Sequence, residues 1–290
     1  MQLINKIMID SALKIAGQIN ADALLICVDL AEDMTLLPEE LKTAIGVIIV
    51  SREGEELPEG IRNFVRKLDV PNVNLTRVGK IKLAIAKGVV MNLFRKEDKI
   101  VCLSGVPKFG YADSIFVIDV GKEFEILTAD YINDIVESVR PEVFNAALNL
   151  ACEIAAQGRE SKKVGTIFVL GDEEKVLQLS RQMIINPFMG YTEEQRNILN
   201  PDLAETIKEF SAIDGAFIIK DNGAIITAGR HLNAALDSRD FPAGLGSRHI
   251  AAAGITSVTR AAAIVISESS GNVSVYKNGK LFVAIEKPVE

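Results

Sequence analysis

Tryptophan is absent from the 290 residues, histidine occurs twice and cysteine three times. Each shortage closes off a class of protein. Cys27, Cys102 and Cys152 lie far apart inside apolar stretches, form no Cys-x-x-Cys pair, and could be joined only by His231 and His249. That spacing builds neither a zinc site nor a disulfide framework; it fits buried free thiols in a reducing compartment. A bilayer-crossing helix needs about 20 consecutive apolar residues. The longest apolar runs here, such as Ala44–Val50, are of strand length. The opening Met1-Gln-Leu-Ile-Asn-Lys6 lacks the pattern of a secretory leader. The expectation is a cytoplasmic protein without membrane contact. Positive charge is also short: the net charge is −7, which argues against a broad basic face for nucleic acid. A local basic pocket for one anion stays compatible with an acidic whole.

What is present is material for sizeable cores. Hydrophobic residues make up 48% of the chain, and a length of 290 residues suggests two domains. In residues 1–128 helical and strand-like stretches alternate. Ile7–Asn20 reads as an amphipathic helix, Ala23–Val28 as a strand, Leu36–Thr43 as a short helix and Val47–Val50 as a buried strand. The acidic stretch Glu53–Gly60, with Pro58, reads as a loop, Ile61–Lys67 as a helix and Val73–Leu75 as a strand. Lys80–Arg95 reads as an amphipathic helix with Lys80 and Lys82 on its solvated face, and Lys99–Leu103 and Ser114–Ile118 as strands. This alternation predicts a parallel, doubly wound sheet. We set the domain boundary near 128.

Residues 129–290 read as a mixed-sheet α/β domain flanked by helices. Asp130–Arg140 and Pro141–Gln157 are helical, with Pro141 suited to a first helical turn. Gly165–Leu170 is a strand, Gly171–Asn186 loop and helix, and Leu203–Ser211 a helix. Asp221-Asn-Gly223 joins strands Ala216–Lys220 and Ala224–Ala228, and Lys277-Asn-Gly279 joins Val273–Tyr276 to Lys280–Ile285. Both are hairpin signals. Arg248–Val258 is a helix and Ala261–Ser267 a buried strand.

The candidate site lies where Gly244-Leu-Gly-Ser-Arg-His249 opens that helix, downstream of the turn Asp214-Gly215-Ala216. Glycines at Gly244 and Gly246 let backbone approach a bulky anion. Ser247 can cap the helix, whose free N–H groups then point at the anion. Arg248 at a helix N-terminus opposes the helix dipole and is disfavoured unless an anion is near. Beside it, His249 is read as a phosphate contact. Asp214 offers a carboxylate for a metal or a proton. A phosphate cradle plus one acidic residue suits nucleotidyl transfer. The plainer readings are a turn aspartate, a capping loop, a core leucine at Leu232 and a polar turn at Ser267-Glu268; they stand beside the functional one.

Four blocks carry a resemblance. They are Asp214-Gly215-Ala216; Leu232; Leu245-Gly-Ser-Arg-His-Ile-Ala-Ala-Ala-Gly-Ile-Thr256; and Ile266-Ser267-Glu268 with Gly271-Asn-Val-Ser-Val-Tyr-Lys-Asn-Gly279. In this order and spacing, over roughly residues 140–285, the chain resembles the diadenylate cyclase (DAC) domain family. The resemblance implies condensation of two ATP into cyclic di-AMP with release of two pyrophosphates. It implies catalytic roles for Asp214, Arg248 and His249. It also implies ATP contacts from Gly215, Ala216, Leu232, Gly246, Ser247, Ser267 and Glu268, and a divalent Mn²⁺, Mg²⁺ or Co²⁺ on Asp214. The product's symmetry implies a homo-oligomer with DAC faces opposed. The family's usual Arg-His-Arg reads Arg248-His249-Ile250 here, one cation fewer, and Ile213 stands where many relatives carry His or Met. These departures leave an alternative, a non-catalytic ATP or cyclic di-AMP binding regulator. Residues Ile81–Pro107 resemble, loosely, the C-terminal domain of pyruvate kinase, and the N-terminal domain is expected to serve oligomerisation or regulation.

Overall fold

The computed structural model describes residues 2–27, 46–57, 59–62, 65–106, 109–122, 135, 137–158, 163–234 and 246–288. The chain divides into two compact units, Met1–Ala129 and Asp130–Glu290.

The first unit runs α1 (Gln2–Gln18), β1 (Ala23–Cys27), β2 (Gly46–Arg52), α2 (Glu59–Arg62), β3 (Val65–Val70), α3 (Arg77–Val90), β4 (Lys99–Val106) and β5 (Tyr111–Asp119). The sheet order is β3-β2-β1-β4-β5. Strand β1 is Ala-Leu-Leu-Ile-Cys, buried at every residue, the composition of a central parallel strand covered on both faces. Ile9, Ala12 and Ala16 of α1 pack with Leu24, Ile26, Val101 and Leu103 on one face.

Four readings in this unit are corrected. The sheet is not wholly parallel: β5 runs antiparallel to β4, because the short link between them is too brief for a crossover. Residues 65–67, read as the end of a helix, open strand β3, in which Leu68 and Val70 are buried on one face with half-exposed Asp69 between them. Val73–Leu75, read as a strand, has no regular structure. Lys80 and Lys82 are not solvated, at 8% and 7% exposure. Every residue of α3 from Gly79 to Val90 is buried, and the lysine stems supply apolar contact. The helix expected over Leu36–Thr43 lies outside the described residues.

The second unit holds α4 (Pro141–Gln157), β6 (Thr166–Leu170), α5 (Glu173–Gln178), β7 (Ser180–Gln182), a 3₁₀ turn (Pro201–Leu203) and α6 (Ala204–Phe210). It continues with β8 (Ala216–Ile219), β9 (Ile225–Leu232), α7 (Ser247–Val258), β10 (Ala262–Ile266), β11 (Val273–Lys277) and β12 (Lys280–Ile285). The sheet order is β12-β11-β10-β6-β8-β9-β7. Only β6 and β8 pair in parallel among the described strands of this sheet. Helix α4 begins at Pro141, ends at Gly158 with φ +62°, and buries Val143, Phe144, Ala147, Leu148, Ala151 and Ile154 along one stripe. Between β11 and β12, Asn278 and Gly279 both have positive φ, 50° and 77°, as a two-residue hairpin turn demands. Short β7, inside a stretch read as loop and helix, pairs with the end of β9.

Candidate active site

Strand directions assemble the site. Parallel β6 and β8 start at the same sheet edge, Ile167 opposite Ala216. Antiparallel β10 ends there, Ile266 opposite Thr166. Thus Gly165, Asp214-Gly215 and Ser267-Glu268, distant in sequence, share one edge. Helix α7 starts beside them and packs on β6, β10 and β11.

Arg248, in the first turn of α7, spans this edge. Its Nη2 lies 3.2 Å from Asp214 Oδ1 and its Nη1 3.0 Å from Glu268 Oε2. The arginine side chain is 28% exposed, Asp214 80% and Glu268 57%, so the fork is half-sheltered while both carboxylates stay open to a ligand. The first turn of α7 carries no acidic residue of its own. Asp214 and Glu268 therefore offset the cation at the positive end of the helix.

Local constraints aim these groups. Gly215 has φ +118°, and a Cβ there would meet Gly229 backbone at 2.7 Å. Only glycine lets the Asp214 turn close onto β9. Thr166 Oγ1 donates to the Gly215 carbonyl at 3.1 Å, pinning the turn to β6. Gly165, which sequence reasoning passed over, makes room for the fork: a Cβ there would lie 2.8 Å from Arg248 Nη1 and 2.8 Å from Glu268 Cβ. Nothing in the local pattern at 165 distinguishes a strand-entry glycine from one that yields to a side chain across the sheet. Gly165→Val should therefore displace the guanidinium and cut turnover at least tenfold, about the worth of one charge-assisted hydrogen bond. Steady-state rates beside a melting curve check this, and near-normal rates would show that the fork's position is immaterial.

His249 is engaged by Tyr276. Its ring meets Tyr276 edge-on, with centroids 5.9 Å apart, and Nδ1 lies 3.1 Å from the tyrosine hydroxyl. Burial holds the imidazole below its ordinary pKa and pushes Tyr276 up to about 12. Both are neutral at pH 7.

The remaining candidates separate. Gly246, not Ser247, occupies the N-cap position of α7, with φ −68° and ψ 162°; Ser247 is the first helical residue and gives no side-chain cap. Extended backbone at Gly246 ends the helix without help from a hydroxyl. Among the described residues, a Cβ on Gly246 meets nothing within 4 Å. Gly244 lies outside the described residues. Ala216 is buried as the first residue of β8. Leu232 ends β9 and packs in the apolar cluster with Ala252, Ala253 and Val169. The Ser267 hydroxyl serves its own turn, accepting from Ser270 N at 3.3 Å and lying 3.2 Å from Ser269 Oγ. Glu268, by contrast, joins Arg248. Ile250 is half-buried. No described helix is long and apolar enough to cross a membrane.

Residues 153–281 match the family model described as DisA bacterial checkpoint controller nucleotide-binding, and residues 5–128 match one described as Probable sensor domain DacZ_P. A diadenylate cyclase of Methanocaldococcus jannaschii is 33% identical over 299 positions, covering 96% of this chain and 96% of that protein. The chain belongs to the diadenylate cyclase family. It is an enzyme of the nucleotidyltransferase type. A diadenylate cyclase of Haloferax volcanii is 34% identical over 209 positions, 71% of this chain and 75% of that protein. A solved pyruvate kinase of Cryptosporidium parvum shares 15% identity at a TM-score of 0.33, over 40% of this chain and 23% of that one. At that score the likeness carries no argument about the first unit.

Proposed function

We propose that each protomer holds one ATP at the Asp214–Arg248–Glu268 edge, and that two facing protomers join their ATP molecules into cyclic di-AMP and two pyrophosphates. One observation carries this reading: a single guanidinium bridges two exposed carboxylates beside the start of α7. Phosphate oxygens bind the free N–H groups of Gly246, Ser247 and Arg248 at the helix start. Adenine lies toward the Leu232 end of β9, and Gly215-Ala216 lines the approach to Asp214. Arriving phosphates take over the donors of Arg248, which frees Asp214 and Glu268.

Those two carboxylates fit a divalent cation. A hard ion such as Mg²⁺ or Mn²⁺ keeps waters and substrate phosphates in its shell and needs only one or two protein carboxylates. Asp214 and Glu268 supply that oxygen set at one spot. Among the described residues no group of three or more His, Cys, Asp and Glu converges, so a closed site of protein ligands is not what this edge builds. When bound, the cation lowers the pKa of the ribose hydroxyl and offsets charge on the α-phosphate.

Asp214 accepts the 3′-hydroxyl proton. The 3′-oxygen then bonds to the α-phosphorus of the facing ATP, the bond to the bridging oxygen breaks, and pyrophosphate leaves with the electron pair. Arg248 offsets the charge that develops. Each ATP must be both nucleophile and electrophile, so a lone site cannot complete the ring and two sites must meet. The first unit serves assembly or regulation, a role that the sensor description of its matching family model supports.

Purified protein incubated with ATP and Mn²⁺ should yield cyclic di-AMP and pyrophosphate in a 1:2 ratio by mass analysis, with specific activity falling once the protein is diluted below its assembly concentration. Absence of the cyclic product, or full activity in a strict monomer by light scattering, would overturn the reading.

A further inference from the structure

His249 follows Arg248 in the first turn of α7, yet its ring is committed elsewhere. Tyr276 is held by β11, opposite Ala263 of β10 and Leu281 of β12. Its ring is 2% exposed and packs with Ala252, Ala253 and Val265 in the core under α7. A buried hydroxyl that donates to nothing is destabilising, so such groups are almost always paired. Among the described residues, the hydroxyl's one hydrogen-bond partner is His249 Nδ1, at 3.1 Å.

The direction of that bond follows. If His249 Nδ1 carried the proton and donated to the tyrosine oxygen, the hydroxyl's own proton would be buried with no acceptor among the described residues. If the hydroxyl donates, Nδ1 is the acceptor, and a neutral imidazole must carry its proton on Nε2.

We infer that Tyr276 is a positioning residue: its hydroxyl holds His249 in the Nε2–H form, so that α7 presents a neutral N–H donor at its start to a phosphate oxygen of ATP. The phosphate partner rests on the function proposed above; the tautomer does not. Burial favours the same pair of states, since it disfavours the imidazolium and the phenolate alike. The hydroxyl and the edge-on ring contact hold the imidazole by its Nδ1 side, which leaves Nε2 as the ring nitrogen not engaged by Tyr276. Nothing in the sequence around Tyr276 marks this role, because an aromatic in a strand reads first as core.

Tyr276→Phe keeps the ring and its packing and removes only the hydroxyl. The full chain, labelled with ¹⁵N-histidine, has two histidines, and His231→Gln assigns the signals. Wild type should show the Nε2–H pattern for His249. In Tyr276→Phe that pattern should give way to a mixture of tautomers. The apparent KM for ATP should rise about two- to tenfold, the range for one neutral hydrogen bond, while kcat changes less. An Nδ1–H pattern in wild type, or the wild-type pattern unchanged in Tyr276→Phe, would overturn the inference. So would a tautomer change that leaves KM untouched, because His249 would then not serve ATP. If Tyr276→Phe fails to fold, the wild-type tautomer still decides. Failure of the proposed function would appear separately, as wild-type protein that makes no cyclic product whatever its histidine tautomer.

Discussion

Asp214→Asn should leave the protein folded and able to bind ATP while production of cyclic di-AMP falls by at least a hundredfold. Asparagine keeps an oxygen for Arg248 Nη2, which lies 3.2 Å from Asp214 Oδ1 in the native chain. What it loses is the negative charge, and with it the proposed cation ligand and the proposed acceptor for the 3′-hydroxyl proton. Loss of positioned proton transfer alone typically costs about 10²–10⁴ in rate. Stability should hardly change, because the Asp214 side chain is 80% exposed and exposed ion pairs contribute little. Melting curves, ATP titration and rates on the same preparation test the three parts together. Near-normal turnover, or loss of ATP binding with turnover per bound ATP unchanged, would move the chemistry away from Asp214.

Not every part of this site could be read along the chain, and the reason is geometric. Asp214-Gly215 and Arg248 announce themselves locally: one is a turn that needs φ > 0, the other a cation at the wrong end of a helix. Glu268 was legible only as the polar end of an apolar strand. Its partnership with Arg248 depends on β10 running antiparallel to β6, which no local pattern states. Gly165 and Tyr276 were invisible for the same reason, since each matters through an atom contributed from another strand or helix. A serine at a strand end, such as Ser267, looks alike in sequence whether it faces a ligand or closes its own turn.

In the first unit the errors have a common source. Val65–Val70 is an edge strand in which only Leu68 and Val70 are buried. Its first half shows no clear alternation, so Val65–Lys67 reads as the tail of the preceding helix. Lys80 and Lys82 were taken for a wet face because charge usually means solvent. The burial of α3 on all sides is a tertiary fact, and Lys87 meets it by donating its ammonium to the Asp69 carbonyl. Where the pattern was long and flanked by strong punctuation, as in Pro141–Gln157 closed by Gly158, local reading and structure agree to the residue.

Arg248→Ala should lower ATP-dependent turnover about ten- to a hundredfold, the worth of a charge-assisted hydrogen bond of about 1.5–3 kcal/mol. The structure sharpens the reason. Without the guanidinium, Asp214 and Glu268 face each other across the site with no cation between them, and the phosphates of ATP meet two carboxylates that no arginine offsets. Added divalent cation should recover part of the loss, because it can occupy the same ground. Arg248→Lys should recover little. One ammonium on a flexible stem cannot reproduce a planar fork whose two nitrogens lie 3.2 Å from Asp214 and 3.0 Å from Glu268. Ile250, two residues on, should behave oppositely. It is half-buried and has no charge to offer phosphate, so Ile250→Ala should act through packing and lower the melting temperature more than the rate per folded molecule. Ile250→Arg restores the family's commoner pattern and should fold only if that side chain faces the cleft. Rates and melting curves for these variants, at two concentrations of Mn²⁺, decide the matter. Normal turnover in Arg248→Ala together with collapse in a well-folded Ile250→Ala would put the phosphates on the other side of α7.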